Sequence, residues 1–232
     1  MKDNIHAGHR DRLRNEFLSH QEPTKMPEHK LLEMLLFYAI PQRDTNPIAH
    51  ELLAKFGSFS AVFEADAAEL AAVKGMTKNA ATLIKLMIPL AKLYISEKQS
   101  TKSHFTDMNE IGDFIFNEYF GATNERLCLL CLDDLGKMLS FDVICEGTVD
   151  LVSVSIRALV ERALQLKAKS VVISHNHPGG IAIPSEDDVR LTATIKEALS
   201  IFTIKLCDHI IVSNNDYISM AQSKEYKELF DL

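Results

Sequence analysis

The sequence predicts an α+β protein in two parts, a helical amino-terminal domain followed by a mixed β-sheet flanked by helices. Residues 1–95 carry apolar runs with helix start and stop signals, residues 96–104 are polar without periodicity, and strand-like and helix-like segments alternate from there. With 232 residues and 47% apolar side chains, the chain is long enough for two domains that each bury a core. We therefore predict domains at 1–100 and 104–232, with a linker at residues 96–104.

The first domain is predicted from helix signals. The segment HKLLEMLLFYAI is an apolar run rich in helix formers, and PIAHELLAKFG begins with a proline and ends at Gly57, as helices commonly do. The segment AAELAAVKG then leads through Gly75 into a further helix, TKNAATLIKLMIPLAKLY. Together these segments predict a domain built from helices.

The second domain is predicted to contain a helix, two strands, a helix, a strand, a helix and two final strands. In chain order, the segments are NEIGDFIFNEYF, ERLCLLCLD, KMLSFDVICEG, SVSIRALVERALQLKA, SVVISH, residues 185–199, TIKLCDHIIV and DYISM. The strands are short and apolar, and the helices between them are amphipathic. This order predicts a mixed sheet with helices packed on it.

The charge of the chain is distributed unevenly. The net charge is −7, but residues 1–100 hold 13 Lys and Arg against 12 Asp and Glu, so the acidity lies in the second half. Because phosphate contacts dominate nucleic-acid affinity, only the first half is expected to contact DNA, and only weakly. No stretch approaches the roughly 18 uninterrupted apolar residues of a membrane helix, and the start lacks a signal-peptide core, so we expect a cytoplasmic protein.

The four cysteines are predicted to be reduced and mostly buried. Cys128 and Cys131 lie in the apolar segment RLCLLCL, which reads as a buried strand. At a spacing of three on a strand, their side chains point to opposite faces. They therefore cannot jointly bind one zinc ion without a turn between them.

The stretch SHNHPGGIAIPSEDD, residues 174–188, is the strongest candidate for a functional site. His175 ends an apolar strand and His177 follows two positions later, so extended backbone would direct both imidazoles to the same side. Two histidines and the Asp188 carboxylate would leave a fourth tetrahedral position free, which is typical of catalytic zinc sites, although other divalent ions also accept such ligands. Ser185 and Asp188 also fit a helix capping box, and the two interpretations are compatible.

The pattern His-x-His-Pro, six residues and Ser-x-x-Asp resembles the JAMM metalloprotease motif of MPN domains. His175, His177, Pro178, Ser185 and Asp188 each match it. The rest of the chain resembles the RadC (UPF0758) family of bacterial proteins. That likeness lies in GHRDRLR, LLEMLLFYAIPQRDTNPIAHELLAKFGS, VKGMT, ERLCLLCLD, EGT, SHNHP, PS and DHIIV. The resemblance implies a helix-hairpin-helix-like region followed by an MPN (JAMM) domain that binds Zn²⁺ through both histidines and the aspartate.

The resemblance also implies roles for residues that do not bind the metal. JAMM sites use a glutamate as general base, and Glu125 matches its position, with Glu146 as the alternative. Ser185 matches a residue that supports the oxyanion, although an N-cap role alone would also explain it. His209 in DHIIV is interpreted as a buried core or supporting residue, because a lone strand histidine is more often that than a ligand.

Two departures from the family pattern bear on function. The loop after the histidines usually reads Ser-Gly-Asp, whereas here it is Gly179-Gly180-Ile181, which removes a hydroxyl and a carboxylate from the expected cleft. The helix-hairpin-helix turn, usually Gly-x-Gly, is Gly75-Met76-Thr77 and lacks one glycine that favours phosphate approach. The first domain is therefore expected either to bind DNA weakly or to act as a helical platform.

These observations favour a zinc-dependent hydrolase that acts on amide or isopeptide bonds of a peptide or protein substrate. The alternative is a DNA-associated repair or recombination factor in which the metal site is secondary. A zinc deaminase does not fit, because it requires His-x-Glu followed by Pro-Cys-x-x-Cys, and this chain has neither. The complete ligand set argues against a metal-free structural module.

Overall fold

The computed structural model describes residues 8–99, 104–147 and 156–230. Contacts within the chain divide it into two compact units, Met1–Ala91 and Lys92–Leu232. The first unit is helical, and the second contains a five-stranded mixed sheet with helices on it. The predicted fold class is therefore confirmed, while the domain bounds 1–100 and 104–232 stay a prediction.

The amino-terminal unit consists of helices around a main apolar core, with a smaller apolar cluster beside α1. They are α1 (His9–Ser19), α2 (Glu28–Ala39), α3 (Asn46–Phe56), α4 (Phe59–Glu64), α5 (Ala67–Ala71) and the first part of α6 (Lys78–Gln99), with a 3₁₀ turn at Pro23–Lys25. As predicted, α3 ends at Gly57, which has a φ of 87° that glycine adopts without strain. Leu32, Leu36, Leu52 and Ile84 are fully buried in the core.

The helix α6 is longer than the sequence predicts. Residues 96–99, predicted to open a polar linker, form its last turn, and residues 100–103 lie outside the described residues. Glu, Lys and Gln are good helix formers, so a polar stretch without periodicity can continue a helix that began with an apolar face. None of the helices in the described ranges is long and apolar enough to cross a membrane.

Arg10 in the segment GHRDRLR connects α1 to the carboxyl end of α2. Its guanidinium donates hydrogen bonds to the carbonyl oxygens of Ile40, Pro41 and Arg43 at 2.6–2.8 Å, and it lies 4.7 Å from the centre of the Phe37 ring. Carbonyl groups at the end of a helix attract a cation. The positive charge of Arg10 therefore interacts with carbonyl groups and an aromatic ring of this protein.

The carboxy-terminal unit contains every strand and helix that its sequence predicts. Its elements are α7 (Met108–Glu118), β1 (Arg126–Leu132), β2 (Met138–Glu146), α8 (Ile156–Gln165), β3 (Ser170–Asn176), α9 (Glu186–Ser200), β4 (Lys205–Val212), β5 (Tyr217–Ser219) and a 3₁₀ turn at Lys227–Leu229. The predicted start of α8 at residues 153–155 lies outside the described part of the chain.

The sheet has the strand order β2-β1-β3-β4-β5. Only β3 and β4 are parallel, and α9 is the crossover that joins them. One face of the sheet packs on α8 and α9, and the other packs on α7. Cys131 lies in the first of these cores and Cys128 in the second, so the two face opposite sides as predicted. All four cysteines are free thiols.

Candidate metal site

The candidate site lies where β3 ends and α9 begins. The extended backbone of β3 continues through Asn176, and the His177 amide then donates to the carbonyl oxygen of Val212 in β4 at 2.8 Å. This bond keeps the chain beside the sheet for one residue beyond β3. The chain turns away at Gly179, which has a φ of 70°. The two histidines consequently present their rings on the same side.

The first turn of α9 supplies the carboxylate. Ser185 caps the helix by accepting a hydrogen bond from the Asp188 amide at 3.2 Å, and its own amide and hydroxyl donate to Asp188 Oδ2 at 2.7 and 2.6 Å. The predicted capping box is thus present. Because Ser185 holds Oδ2, the other carboxylate oxygen lies toward the histidines, with Oδ1 at 3.1 Å from His175 Nε2.

The ligand atoms of three side chains converge at one place. His175 Nε2 and His177 Nε2 are 2.8 Å apart, and one ligand atom each from His175, His177 and Asp188 lie within 4.8 Å of one another. His175 and Asp188 are buried, whereas the His177 side chain is 25% exposed. Among the described residues, this is the only group of three or more His, Cys, Asp or Glu that could hold a metal ion.

The loop after β3 determines which nitrogen of His177 carries a hydrogen. His177 Nδ1 lies 3.0 Å from the carbonyl oxygen of Ile181. Because a carbonyl oxygen only accepts hydrogen bonds, Nδ1 is the donor, which leaves Nε2 as the ring nitrogen that faces the site. The loop Gly179-Gly180-Ile181, which departs from the family pattern, therefore orients a proposed ligand through its backbone.

The chemistry of the site fits a divalent metal ion. Burial lowers the pKa of His175 to about 4, an effect that the Asp188 carboxylate partly opposes, so the ring is neutral near pH 7 and able to bind a metal. Asp188 Oδ1 is buried and accepts no hydrogen bond from any described residue. Such an atom is costly unless a cation or donor satisfies it. A metal ion such as Zn²⁺ would satisfy this oxygen and the histidine lone pairs together.

Glu125 and Glu146 lie on opposite faces of the sheet. Leu127 and His175 are the last backbone pair of the antiparallel β1–β3 ladder, and the alternation of extended backbone places Glu125, two residues before Leu127, on the face of His175. Arg126 pairs with Glu146 on the other face and donates to its Oε1 at 2.8 Å, which lowers the pKa of Glu146. The position of Glu125 therefore suits a general base better than that of Glu146.

Asn176 is a residue of the site that the sequence analysis missed. Its side-chain amide donates to the carbonyl oxygen of Asn124 at 3.0 Å, and its Oδ1 accepts from the Arg126 amide at 2.7 Å. These bonds hold the backbone on both sides of Glu125. A buried asparagine between two histidines at the end of an apolar strand is the signal that could have indicated this role.

His209 lies behind His175 rather than in the ligand group. It is fully buried on β4, with Nε2 at 2.8 Å from His175 Nδ1 and Nδ1 at 2.6 Å from Thr192 Oγ1. Burial holds the pKa of His209 well below its usual value. The sequence analysis also missed Thr192. This residue follows Asp188 by four positions on α9 and hence lies on the same face of the helix.

Comparisons with known proteins indicate the family of the chain. The family model described as RadC-like JAB domain matches residues 105–226. A UPF0758 protein of Fusobacterium nucleatum subsp. nucleatum is 31% identical over 229 residues, which cover 96% of this chain and 98% of the relative. The likeness thus extends over both units. The chain belongs to the RadC (UPF0758) family, and its second part is a JAB/MPN-type domain.

Proposed function

We propose that this protein is a zinc-dependent hydrolase of amide or isopeptide bonds in a peptide or protein substrate. The observation that carries the proposal is the convergence of two histidine nitrogens and an unpaired, buried carboxylate oxygen at the end of β3. Three protein ligands leave one position open in catalytic zinc sites. Membership of a family with a JAB-type domain, a hydrolase-type fold, adds support.

In this proposal, His175, His177 and Asp188 hold the metal ion. A bound Zn²⁺ supplies Lewis-acid activation of water and of the substrate carbonyl group. The capping interaction of Ser185 with Asp188 Oδ2 leaves Oδ1 for coordination. The buried backbone of β3 and the first turn of α9 are rigid elements, which suits ligands that must keep a fixed geometry.

Glu125 is proposed as the general base that takes a proton from the attacking water and delivers it to the leaving amine. Its support is its place two residues before Leu127, the partner of His175, which the strand alternation puts on the ligand face. Ser185 is proposed to donate a hydrogen bond to the developing oxyanion. To do so, its hydroxyl hydrogen must turn from Asp188 Oδ2 to the substrate, while its backbone amide continues to hold that oxygen. One such donor typically contributes about 2.7–4 kcal/mol.

The loop beside the ligands favours an apolar substrate group near the scissile bond. Ile181 and Ile183 are 68% and 57% exposed, and the carbonyl oxygen of Ile181 is the partner of His177 Nδ1. Exposed isoleucines next to a ligand gain free energy when a substrate side chain covers them. The loss of the hydroxyl and carboxylate expected at this loop is consistent with the same preference.

The test combines metal analysis with turnover. Chelator-treated protein titrated with Zn²⁺ should bind about one equivalent, and His175→Ala should not. Zinc-loaded protein is then screened against peptides and isopeptides to find a substrate. Absence of stoichiometric zinc in the unmodified protein, or of any hydrolysis across the screen, would contradict the proposal.

Glu125→Gln separates metal binding from chemistry, because glutamine keeps the size of the side chain and removes its basicity. Zinc should remain bound and turnover should fall by about 10²–10⁴-fold. Glu146→Gln is the matched control, since it makes the same change on the opposite face and should leave turnover near normal. If Glu125→Gln loses the metal, Glu125 is a ligand; if it loses neither metal nor turnover, the base is another residue.

A further inference from the structure

A chain of buried hydrogen bonds leads from the main-chain carbonyl group of Asp188 to the ring of His175. The carbonyl oxygen of Asp188 is 2.6 Å from Thr192 Oγ1, which is 2.6 Å from His209 Nδ1, and His209 Nε2 is 2.8 Å from His175 Nδ1. His175 Nε2 in turn lies 3.1 Å from Asp188 Oδ1. Thr192 and His209 are fully buried, and His175 nearly so. The chain thus surrounds one proposed ligand and excludes water from it.

One direction of hydrogen bonding along this chain prepares His175 for a metal. The Asp188 carbonyl oxygen can only accept, so Thr192 donates to it and accepts from His209 Nδ1. Neutral His209 then accepts at Nε2 from His175 Nδ1, and His175 Nε2 keeps a lone pair that faces the site. In the reverse direction Thr192 donates to His209, and the hydrogen of His175 moves to Nε2, where it excludes a metal ion.

We propose that Thr192 and His209 are positioning residues that select the metal-binding tautomer of His175 and fix the orientation of its ring. This inference rests on the proposed function, because it requires a metal at the site. Partners of this kind typically change metal affinity by about 10–100-fold when they are removed. Thr192 and Asp188 lie one turn apart on α9, and the Thr192 hydroxyl donates to the Asp188 carbonyl oxygen. The helix therefore fixes the position of Thr192 relative to the proposed ligand Asp188.

The test measures zinc affinity of the full-length protein by competition with a chelating indicator. Thr192→Val keeps the shape of the side chain and removes the hydroxyl, so zinc affinity should fall by about 10–100-fold. Thr192→Ser restores the hydroxyl and should bind zinc within a few-fold of the unmodified protein. Met220→Leu is the control: it removes a sulfur to which the Thr192 hydroxyl can also donate, at 3.9 Å, and because the Asp188 carbonyl oxygen is the closer acceptor at 2.6 Å, zinc affinity should stay within a few-fold.

A second measurement needs no variant. Nitrogen-15 NMR of the zinc-loaded, unmodified protein should show the ring hydrogens of both His175 and His209 on Nδ1, protected from exchange. A hydrogen on Nε2 of His209 would overturn the inference. So would equal zinc affinity in Thr192→Val and the unmodified protein. In that second case the unmodified protein still binds zinc, so only this inference fails; if the unmodified protein binds no zinc at all, the proposed function fails as well.

Discussion

The Arg126 amide donates a 2.7 Å hydrogen bond to the side-chain oxygen of Asn176, just beyond the last backbone pair of β1 and β3. The Asn176 amide also donates to the carbonyl oxygen of Asn124. The Asn176 side chain thus supplies the hydrogen bonds between the two strands where their backbone pairing ends, beside Glu125. The proposed base is therefore positioned by the residue that separates the two proposed histidine ligands.

Replacing Asn176 with alanine should loosen the strand that carries Glu125. The change removes two partly buried hydrogen bonds to the backbone, each worth about 0.5–1.5 kcal/mol, so the free energy of unfolding should fall by about 1–3 kcal/mol. Hydrogen exchange should show lost protection of the Arg126 amide, while zinc stoichiometry stays near one per chain. Asn176→Asp keeps the acceptor for Arg126 and should retain part of that protection. Loss of zinc from folded Asn176→Ala would show that Asn176 supports the histidines instead.

Asp188→Asn should preserve or raise the stability of the metal-free protein and remove its stabilisation by zinc. The asparagine oxygen can still accept from Ser185, and its amide can donate toward His175 Nε2, where a carboxylate oxygen now lies buried and unpaired. Without metal, this variant should unfold at a temperature equal to or above that of the unmodified protein. Added zinc should raise only the unmodified protein's transition. An equal zinc response in both would exclude Asp188 as a ligand.

The ion pair between Asp142 and Arg162 should give a pH-dependent contribution to stability. Arg162 donates to both carboxylate oxygens, at 2.8 and 2.9 Å, and this lowers the pKa of Asp142. The folded state therefore binds the proton less tightly than the unfolded chain, whose pKa is about 3.9. The stabilisation is full above that value and is lost as the pH falls through the folded-state pKa.

Asp142→Asn should accordingly lower the unfolding temperature by a few degrees at pH 7, and this deficit should shrink as the pH falls below about 3.9. Thermal unfolding monitored by circular dichroism across this range measures the difference. Glu161→Gln removes the exposed pair with Arg157 on α8 and serves as control, because exposed pairs contribute little. A deficit of Asp142→Asn that persists unchanged at low pH would exclude the ionic explanation.

DNA binding by the full chain should be weak and sensitive to salt. Arg10 is engaged with the end of α2, and Thr77 Oγ1 accepts a hydrogen bond from the Ala80 amide at 3.1 Å, which occupies one of the α6 amides that a phosphate would contact. Titration with duplex and branched DNA near physiological salt should give a Kd weaker than about 1 µM. Submicromolar binding would instead favour the role in DNA repair or recombination.

The sequence predicts the helices and strands of this fold better than it predicts which of their residues come into contact. The apolar period of SVVISH and the cap at Ser185 are local signals, and both lead directly to the place of His175 and Asp188. The contact of His175 with His209 depends on the parallel pairing of β3 with β4, which joins residues 34 positions apart. Nothing in the local sequence specifies that register, and a lone strand histidine is most often a core residue.

The crossover β3–α9–β4 contains all three proposed ligands, together with Thr192 and His209, whereas Glu125 lies just before β1. The residues proposed for metal binding and the residue proposed for proton transfer are consequently encoded in separate stretches of the chain. A mutation at Glu125 alone would leave a protein that still responds to zinc through its stability. Descendants of such a protein could keep the ion as a structural component after hydrolysis has been lost, and zinc content by itself would not distinguish them from active enzymes.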